Sequence, residues 1–251
     1  MMYHPTLDKL QQLKLTGMVR ALQEQEAIPD IGSMPFEERL GLMVDRELTE
    51  RDNRRLQTRL RAARLKQGAA LEDADFKIPR GLDRSLIMKL ADCQWVAQHL
   101  NILITGPTGI GKSWLSCALA HKACREGYSS YYVRLSRLFQ DLDIGRADGR
   151  YAKMMRQLAK ADVLVMDDWG LAVLSDQHRR DLLEILDDRY NLRATIITSQ
   201  LPIAHWHEAV GDPTLADAIL DRVVHNSYKI NISGNSMRKE REKLTTDSTT
   251  P

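Results

Sequence analysis

Eight residues carry the clearest chemistry in this chain: Gly106, Pro107, Thr108, Gly109, Ile110, Gly111, Lys112 and Ser113. They fit the pattern G-x-x-x-x-G-K-[S/T] at every fixed position. Glycines let a loop wrap a phosphate with positive backbone angles and no Cβ in the way. In this pattern the lysine reaches the β- and γ-phosphates of a nucleoside triphosphate and the hydroxyl of Ser113 ligates Mg²⁺. A second pair of oxygens comes later. Val163-Leu-Val-Met166 is a short apolar run that ends in Asp167-Asp168, and Asp167 lies 55 positions after Lys112 (167 − 112). Asp167 is placed to hold the Mg²⁺ shell, which needs hard oxygen ligands. Asp168 is placed to orient and polarise an attacking water.

Such groups act together only if the chain holds them at one edge. Asn101–Thr105 reads as a buried strand that feeds the glycine loop, and 114–126 as the helix that follows it. That arrangement aims several backbone N–H groups and a positive helix end at one small volume. Beyond it the pattern alternates: strand 130–134, helix 136–143, helix 151–160, strand 163–166, helix 177–191 and strand 194–198. Alternation of this kind predicts an α/β fold with a parallel sheet covered on both faces. Ligands of such sheets bind at the carboxyl ends of the strands, where Asp167, Asp168 and Gln200 all fall. An adenylate- or shikimate-type kinase is the competing class. It requires a second, arginine-rich substrate pocket that the sequence does not clearly supply.

The first 72 residues read as an all-α region. Leu7, Leu10, Leu13, Leu15, Met18 and Leu22 form one amphipathic stretch. Residues 34–48 form another, with Ser33 as N-cap and Pro35, Glu37 and Glu38 in its first turn. Residues 51–66 carry seven positive charges against one negative, Asp52. Leu56, Leu60 and Ala63 make that segment helical, with Arg51, Arg55 and Arg59 at i, i+4 and i+8 and Arg54, Arg61 and Arg64 close by. Such a row fits duplex DNA phosphates, with salt-sensitive, sequence-independent binding. Its alternative is a solvated helix face paired with acids elsewhere. Asp73–Arg84, with Pro79 and Gly81, reads as extended, so residues 73–90 form a linker into a core over 91–240. The polar end, 241–251, reads as disordered.

Composition narrows the class. At 251 residues and 43% hydrophobic, the chain can bury one sizeable core and a smaller second domain. No stretch approaches the roughly 18–20 apolar residues of a membrane span, and the first residues lack a signal-peptide layout. Cys93, Cys117 and Cys124 have no metal-ligand spacing and read as buried thiols of a reducing cytoplasm.

Taken in order, Gly106–Ser113, Val163–Asp168, Thr198-Ser-Gln200 and Asp221-Arg222 resemble an AAA+ ATPase core. Four further stretches narrow the likeness: Asp167-Asp-Trp-Gly-Leu171, Thr198-Ser-Gln-Leu-Pro202 with Trp206-His207, Leu215-Ala-Asp-Ala-Ile-Leu-Asp-Arg222, and Gly234-Asn-Ser-Met-Arg-Lys239. With these the chain resembles the IstB family, helper ATPases of bacterial insertion sequences, and more distantly the DnaC-type helicase loaders. Leu15-Thr-Gly-Met18, Phe36-Glu-Glu-Arg39 and Ala62-Ala-Arg-Leu65 extend the likeness into the helical region. The resemblance implies a P-loop core with a small C-terminal lid, ATP and Mg²⁺ as cofactors, and a homo-oligomer formed with ATP on double-stranded DNA. A transposase is the implied partner; a helicase loader is the alternative. It also implies roles: Gln200 as first sensor, Arg222 as an arginine finger toward a neighbouring subunit, and Arg238 as second sensor in the lid. Without that likeness, Arg222 reads as an ordinary helix-surface arginine. Two departures stand out: Asp168 where many AAA+ proteins carry Glu, about 1.5 Å shorter in reach, and Gln200 where loaders usually carry Asn.

Overall fold

A computed structural model of the chain describes residues 5–78 and 80–237. These residues divide into two compact units, with the boundary between Thr58 and Arg59.

The first unit is helical. The amphipathic stretch expected over residues 7–22 is two helices, α1 (Pro5–Gln12) and α2 (Thr16–Glu26). Lys14 breaks them at φ +59°, and the Leu15 N–H turns back to the Leu10 carbonyl at 2.9 Å. This is a helix stop of the kind usually marked by glycine, so a lysine there left no sequence signal. Conversely, the two helices expected over 34–48 and 51–66 are one, α3 (Phe36–Ala63), whose last residues belong to the second unit. Ser33 does not cap it. That residue lies in a short 3-10 turn, and the first carbonyl of α3 to accept is that of Pro35, from Arg39 N–H at 3.1 Å.

The join between α2 and α3 explains Leu15-Thr-Gly-Met18. Buried Glu47 accepts from the backbone N–H of Gly17 at 2.7 Å and of Met18 at 3.3 Å, capping α2 from a distance. A Cβ on Gly17 would overlap the Glu47 backbone, so only glycine allows this approach.

The second unit is built on a parallel sheet of order β2-β3-β4-β1-β5: β1 (Asn101–Thr105), β2 (Ser130–Arg134), β3 (Val163–Trp169), β4 (Ala194–Ser199) and β5 (Ser227–Asn231). The first four match the expected strands to within a few residues, and β5 was not foreseen. Alternation along the strands separates two apolar layers. Ile102, Ile104, Val163, Val165 and Ile196 face one layer, with Ile87, Leu115 and Leu119. Leu103, Leu164, Met166 and Ile197 face the other, with Leu138, Leu182 and Ile219. Each such side chain, fully buried, stabilises the fold by roughly 1.5–3 kcal/mol.

The first layer is covered by α4 (Arg84–Ala91), α5 (Gln94–Ala97) and α6 (Lys112–Arg125). Part of the stretch read as linker is therefore a packed helix. Asp83 caps α4 by accepting from Ser85 N–H at 2.8 Å, and Ile87 and Leu90 are buried. On the other face lie α7 (Leu135–Ala147), α8 (Tyr151–Lys160), α9 (Asp176–Asp187), α10 (Trp206–Val210) and α11 (Pro213–Val224). The helix expected to reach Asn191 stops at Asp187, because the chain turns there so that buried Arg189 donates to the carbonyls of Leu158 and Ala161 at 2.7 Å. Cys93, Cys117 and Cys124 are buried and unpaired, and burial pushes each thiol up. No helix among the described residues is long and apolar enough to cross a membrane.

Candidate nucleotide site

The glycine loop leaves the carboxyl end of β1 and opens α6. Gly106, Gly109 and Gly111 take φ of +148°, +80° and +104°, angles that other residues rarely adopt. A Cβ on Gly106 would run into the carbonyl oxygen of Ile232, because the chain after β5 passes beside the loop. Lys112 is buried and folds onto the loop, donating to the carbonyls of Gly106 at 2.7 Å and Pro107 at 2.8 Å. Burial pulls its ammonium below the usual lysine value, opposed by the charges of Asp168 and Asp167.

Asp167 is fully buried at the carboxyl end of β3. The Ser113 hydroxyl donates to both of its oxygens, at 2.8 and 2.9 Å, and the hydroxyls of Tyr132 and Thr198 donate to it as well. Lys66 Nζ stands 3.5 Å from Oδ2. Burial alone raises the carboxyl; the hydrogen bonds from Thr198, Tyr132 and Ser113, with the Lys66 charge, overcome it and hold Asp167 below the ordinary carboxylate value.

Asp168 behaves differently. Between Met166 and Trp169 the pairing with β4 slips by one residue, and Asp168 sits in the bulge at φ +66°. The twist turns its carboxylate away from Asp167 toward the end of β2, where Arg134 Nε meets Oδ2 at 3.0 Å. Gln200 follows β4 directly and is half-buried, so it stands at the same edge.

Ser113, Asp167 and Asp168 thus lie beside the phosphate loop, with Gln200 at the carboxyl end of β4. Arg222 does not join them. It lies in α11, where its backbone carbonyl accepts from Asn101 Nδ2 at 3.2 Å. Asn101 opens β1, and the loop begins beyond Thr105, some 13 Å along the strand at about 3.3 Å per residue. The Arg222 guanidinium pairs instead with Asp187, at 2.7 Å. Arg238 lies outside the described residues.

The expected arginine row is partly committed to the protein itself. On the first unit's portion of α3, Arg51 pairs with Glu47 at 2.7 Å, Arg54 donates to Thr16 at 2.7 Å, and Arg55 faces Asp52 at 3.5 Å. In the second unit Arg59 donates to the Cys124 carbonyl at 2.8 Å, closing the C-terminal end of α6, and Arg64 lies over the Tyr131 ring. Arg61 is exposed and has no hydrogen-bond or ion-pair partner among the described residues. Sequence reasoning missed Tyr132 and Arg134, which carry no motif of their own, and the contacts that Lys66 and Thr198, noted only as parts of a basic segment and of a strand-end motif, make with Asp167.

The sequence model of the IstB-like ATP binding protein family matches residues 8–245. The chain belongs to that family. It is 51% identical, over 97% of its length and 99% of the relative's, to a Sinorhizobium fredii protein named as an insertion-sequence ATP-binding protein. A Pseudomonas aeruginosa relative, named as the ATP-binding protein of insertion sequence IS21, is 34% identical over 98% of this chain and 92% of its own. Among solved structures, DnaI aligns at a TM-score of 0.57 with 25% identity, covering 66% of this chain and 91% of that one. AMPPCP-bound DnaA from Aquifex aeolicus aligns at 0.56 and 19% identity, covering 75% and 58%. The fold is that of an AAA+ P-loop NTPase, and the family is one of ATP-binding proteins associated with insertion sequences.

Proposed function

We propose that this protein is an ATP-hydrolysing, DNA-binding helper of transposition, which assembles on target DNA with ATP and delivers it to, or stimulates, a transposase. The observation that carries the reading is the separation of Arg222 from the phosphate loop. One copy has the loop, the acids and Gln200 at one end of its sheet and Arg222 at the other, so with Arg222 as the finger a complete hydrolytic site takes two copies. That arrangement would link assembly to hydrolysis.

Within that site Lys112 neutralises the β- and γ-phosphates. Ser113 Oγ and the Asp167 carboxylate, already in contact, form a hard-oxygen pair that fits Mg²⁺, and the ion's charge would offset that developing on the phosphoryl oxygens. Asp168 orients the water, Gln200 contacts the γ-phosphate or that water, and a neighbour's Arg222 stabilises the transferring group. Arg238 serves as the lid's sensor. The DNA-facing charge is assigned to Arg51, Arg54, Arg55, Arg59, Arg61 and Arg64. A helicase loader shares the AAA+ fold, but relatives named for insertion sequences, matched along nearly their whole length, favour transposition.

The test is sedimentation of fluorescent duplex DNA with and without ATP, in parallel with phosphate release. Wild-type protein should form large ATP-dependent complexes, whereas Lys112→Ala, still folded, should form none and release no phosphate. Wild-type turnover by Lys112→Ala overturns the site. ATP-independent assembly overturns the link between assembly and nucleotide. Added transposase should enter the wild-type complexes; its exclusion removes the transposition reading.

A further inference from the structure

Arg80 is a buried cation that nothing in the fold requires. It is 5% exposed, yet its Nε has no hydrogen-bond partner and no carboxylate lies within ion-pair distance among the described residues. Among the described residues the guanidinium makes one hydrogen bond, from Nη2 to the Asp75 carbonyl at 3.0 Å. Burial pulls it below the usual arginine value, and the Asp75 charge restores only part of that. A buried guanidinium whose charge is only partly compensated is unfavourable unless an anion joins it.

Its position makes matters worse in the absence of such an anion. Nη1 lies 3.2 Å from where a Cβ on Gly111 would stand, so the guanidinium sits against the last glycine before Lys112. Gly111 is the residue before α6 and holds φ +104°. A helix N-terminus carries positive partial charge and unpaired N–H groups, which repel a cation and attract a phosphate. The backbone holds Arg80 there deliberately: its carbonyl accepts from Ser233 N–H at 2.9 Å, pinning it to the segment after β5 that also passes Gly106 and Gly109.

We infer that Arg80 is a further nucleotide-binding residue, whose guanidinium clamps the phosphate chain of ATP or ADP from the Gly111 side of the loop. The inference rests on Gly106–Ser113 being the nucleotide site and goes beyond the loop motif, because it adds a cation from a segment that precedes β1 by some twenty residues. An unsatisfied guanidinium there is explained by the ligand it receives. It also separates nucleotides from nucleosides: a phosphate is needed to compensate it.

The experiment is calorimetric titration of a non-hydrolysable ATP analogue and of ADP, with adenosine as a competitor, into wild-type, Arg80→Met and Arg80→Lys proteins. Arg80→Met should weaken the analogue and ADP alike, by about tenfold or more, as expected for a hydrogen bond to a charged group. Adenosine should be unaffected, and Arg80→Lys should recover part of the loss. Thermal unfolding supplies the second readout. Without nucleotide Arg80→Met should melt at or above the wild-type temperature, since a strained charge has gone, while its nucleotide-induced rise should shrink. Unchanged affinity overturns the inference and leaves the loop intact as the site. So does an equal loss for adenosine and ADP, or a nucleotide-free melting temperature that falls while the ligand-induced rise persists. Failure of wild-type protein itself to bind the analogue overturns the nucleotide site, and this inference with it.

Discussion

The two ends of the sheet in the second unit hold the same kinds of side chain in opposite ways. At the carboxyl end, Ser113, Tyr132, Thr198 and Lys66 converge on Asp167, and Lys112 rests on the loop carbonyls. Lys112 donates here to loop carbonyls, acceptors that phosphate oxygens could replace, and Asp167 accepts from hydroxyls whose place a cation could take. At the amino end, arginines are spent on the protein. Arg189 ties β4 to the end of α8, Arg193 faces Asp162 at 3.4 Å, and Arg222 pairs with Asp187. Arg193 and Arg222 are both partly exposed and held by surface pairs, the sort worth about 0–1 kcal/mol and easily exchanged for a phosphate. Under the proposed function this difference would make one end the binding end and the other the completing end, kept apart by the length of β1.

The largest test of that division is Arg222→Ala. It should retain ATP affinity but lose about a thousandfold in hydrolysis, the low end of what a finger arginine supplies. Mixed with Lys112→Ala, it should regain part of the rate, since each variant contributes the end that the other lacks. Measured by phosphate release, absence of any recovery with both variants folded and assembled would mean that Arg222 acts within its own subunit or not at all.

Asp168→Asn probes the binding end alone. Asp167 and Ser113 remain, so ATP affinity should hold while hydrolysis falls by about a hundredfold, and the protein should stay on DNA in its ATP-bound assembly. Normal turnover in a single-turnover assay would place the water-orienting group elsewhere. Arg134→Ala asks a finer question. That arginine draws Asp168 toward β2, so its removal should free the carboxylate and raise the basal rate by up to about fivefold, the worth of a partly exposed ion pair. An unchanged or lower rate would mean that the pair positions Asp168 productively.

The binding end was legible in the sequence because its groups are local. A glycine loop, its strand and its helix lie within 25 residues, and an apolar run marks β3 by itself. The partners of Asp167 were not legible, because the sheet order brings them in. Tyr132 and Thr198 sit on the strands flanking β3, 35 and 31 positions away in sequence, and pairing order is not written in either segment. Arg80 and Lys66 lay in stretches that read as a linker and as a helix end, where a lone cation has no periodic signature. The bulge that turns Asp168 toward Arg134 is likewise a matter of tertiary register, not of Asp-Asp as a dipeptide. Helix ends fared worst where the stop used a non-glycine residue, as at Lys14.

The smallest expected effect concerns the arginines of residues 51–64, which decide whether DNA adds a third place to this scheme. Arg59 closes α6, so replacing it would disturb the fold along with any DNA contact. Arg55 and Arg61 are the informative pair: Arg55 holds only a 3.5 Å contact to Asp52, and Arg61 has no hydrogen-bond or ion-pair partner among the described residues. Changing both to Gln keeps helix propensity and removes two charges. If each neutralises a phosphate, the slope of log affinity against log salt should fall in magnitude by about 1.8, with no change in sequence preference and little in basal ATPase. Fluorescence anisotropy at several salt concentrations measures this directly. An unchanged slope would return these arginines to a solvated helix face. It would also move DNA onto the core, with the partly exposed Arg193 and Arg222 at the amino end of the sheet among the candidates. If DNA took these two, the end proposed to complete a neighbour's site would have to be shared with DNA, and the separation of duties between the two ends would fail.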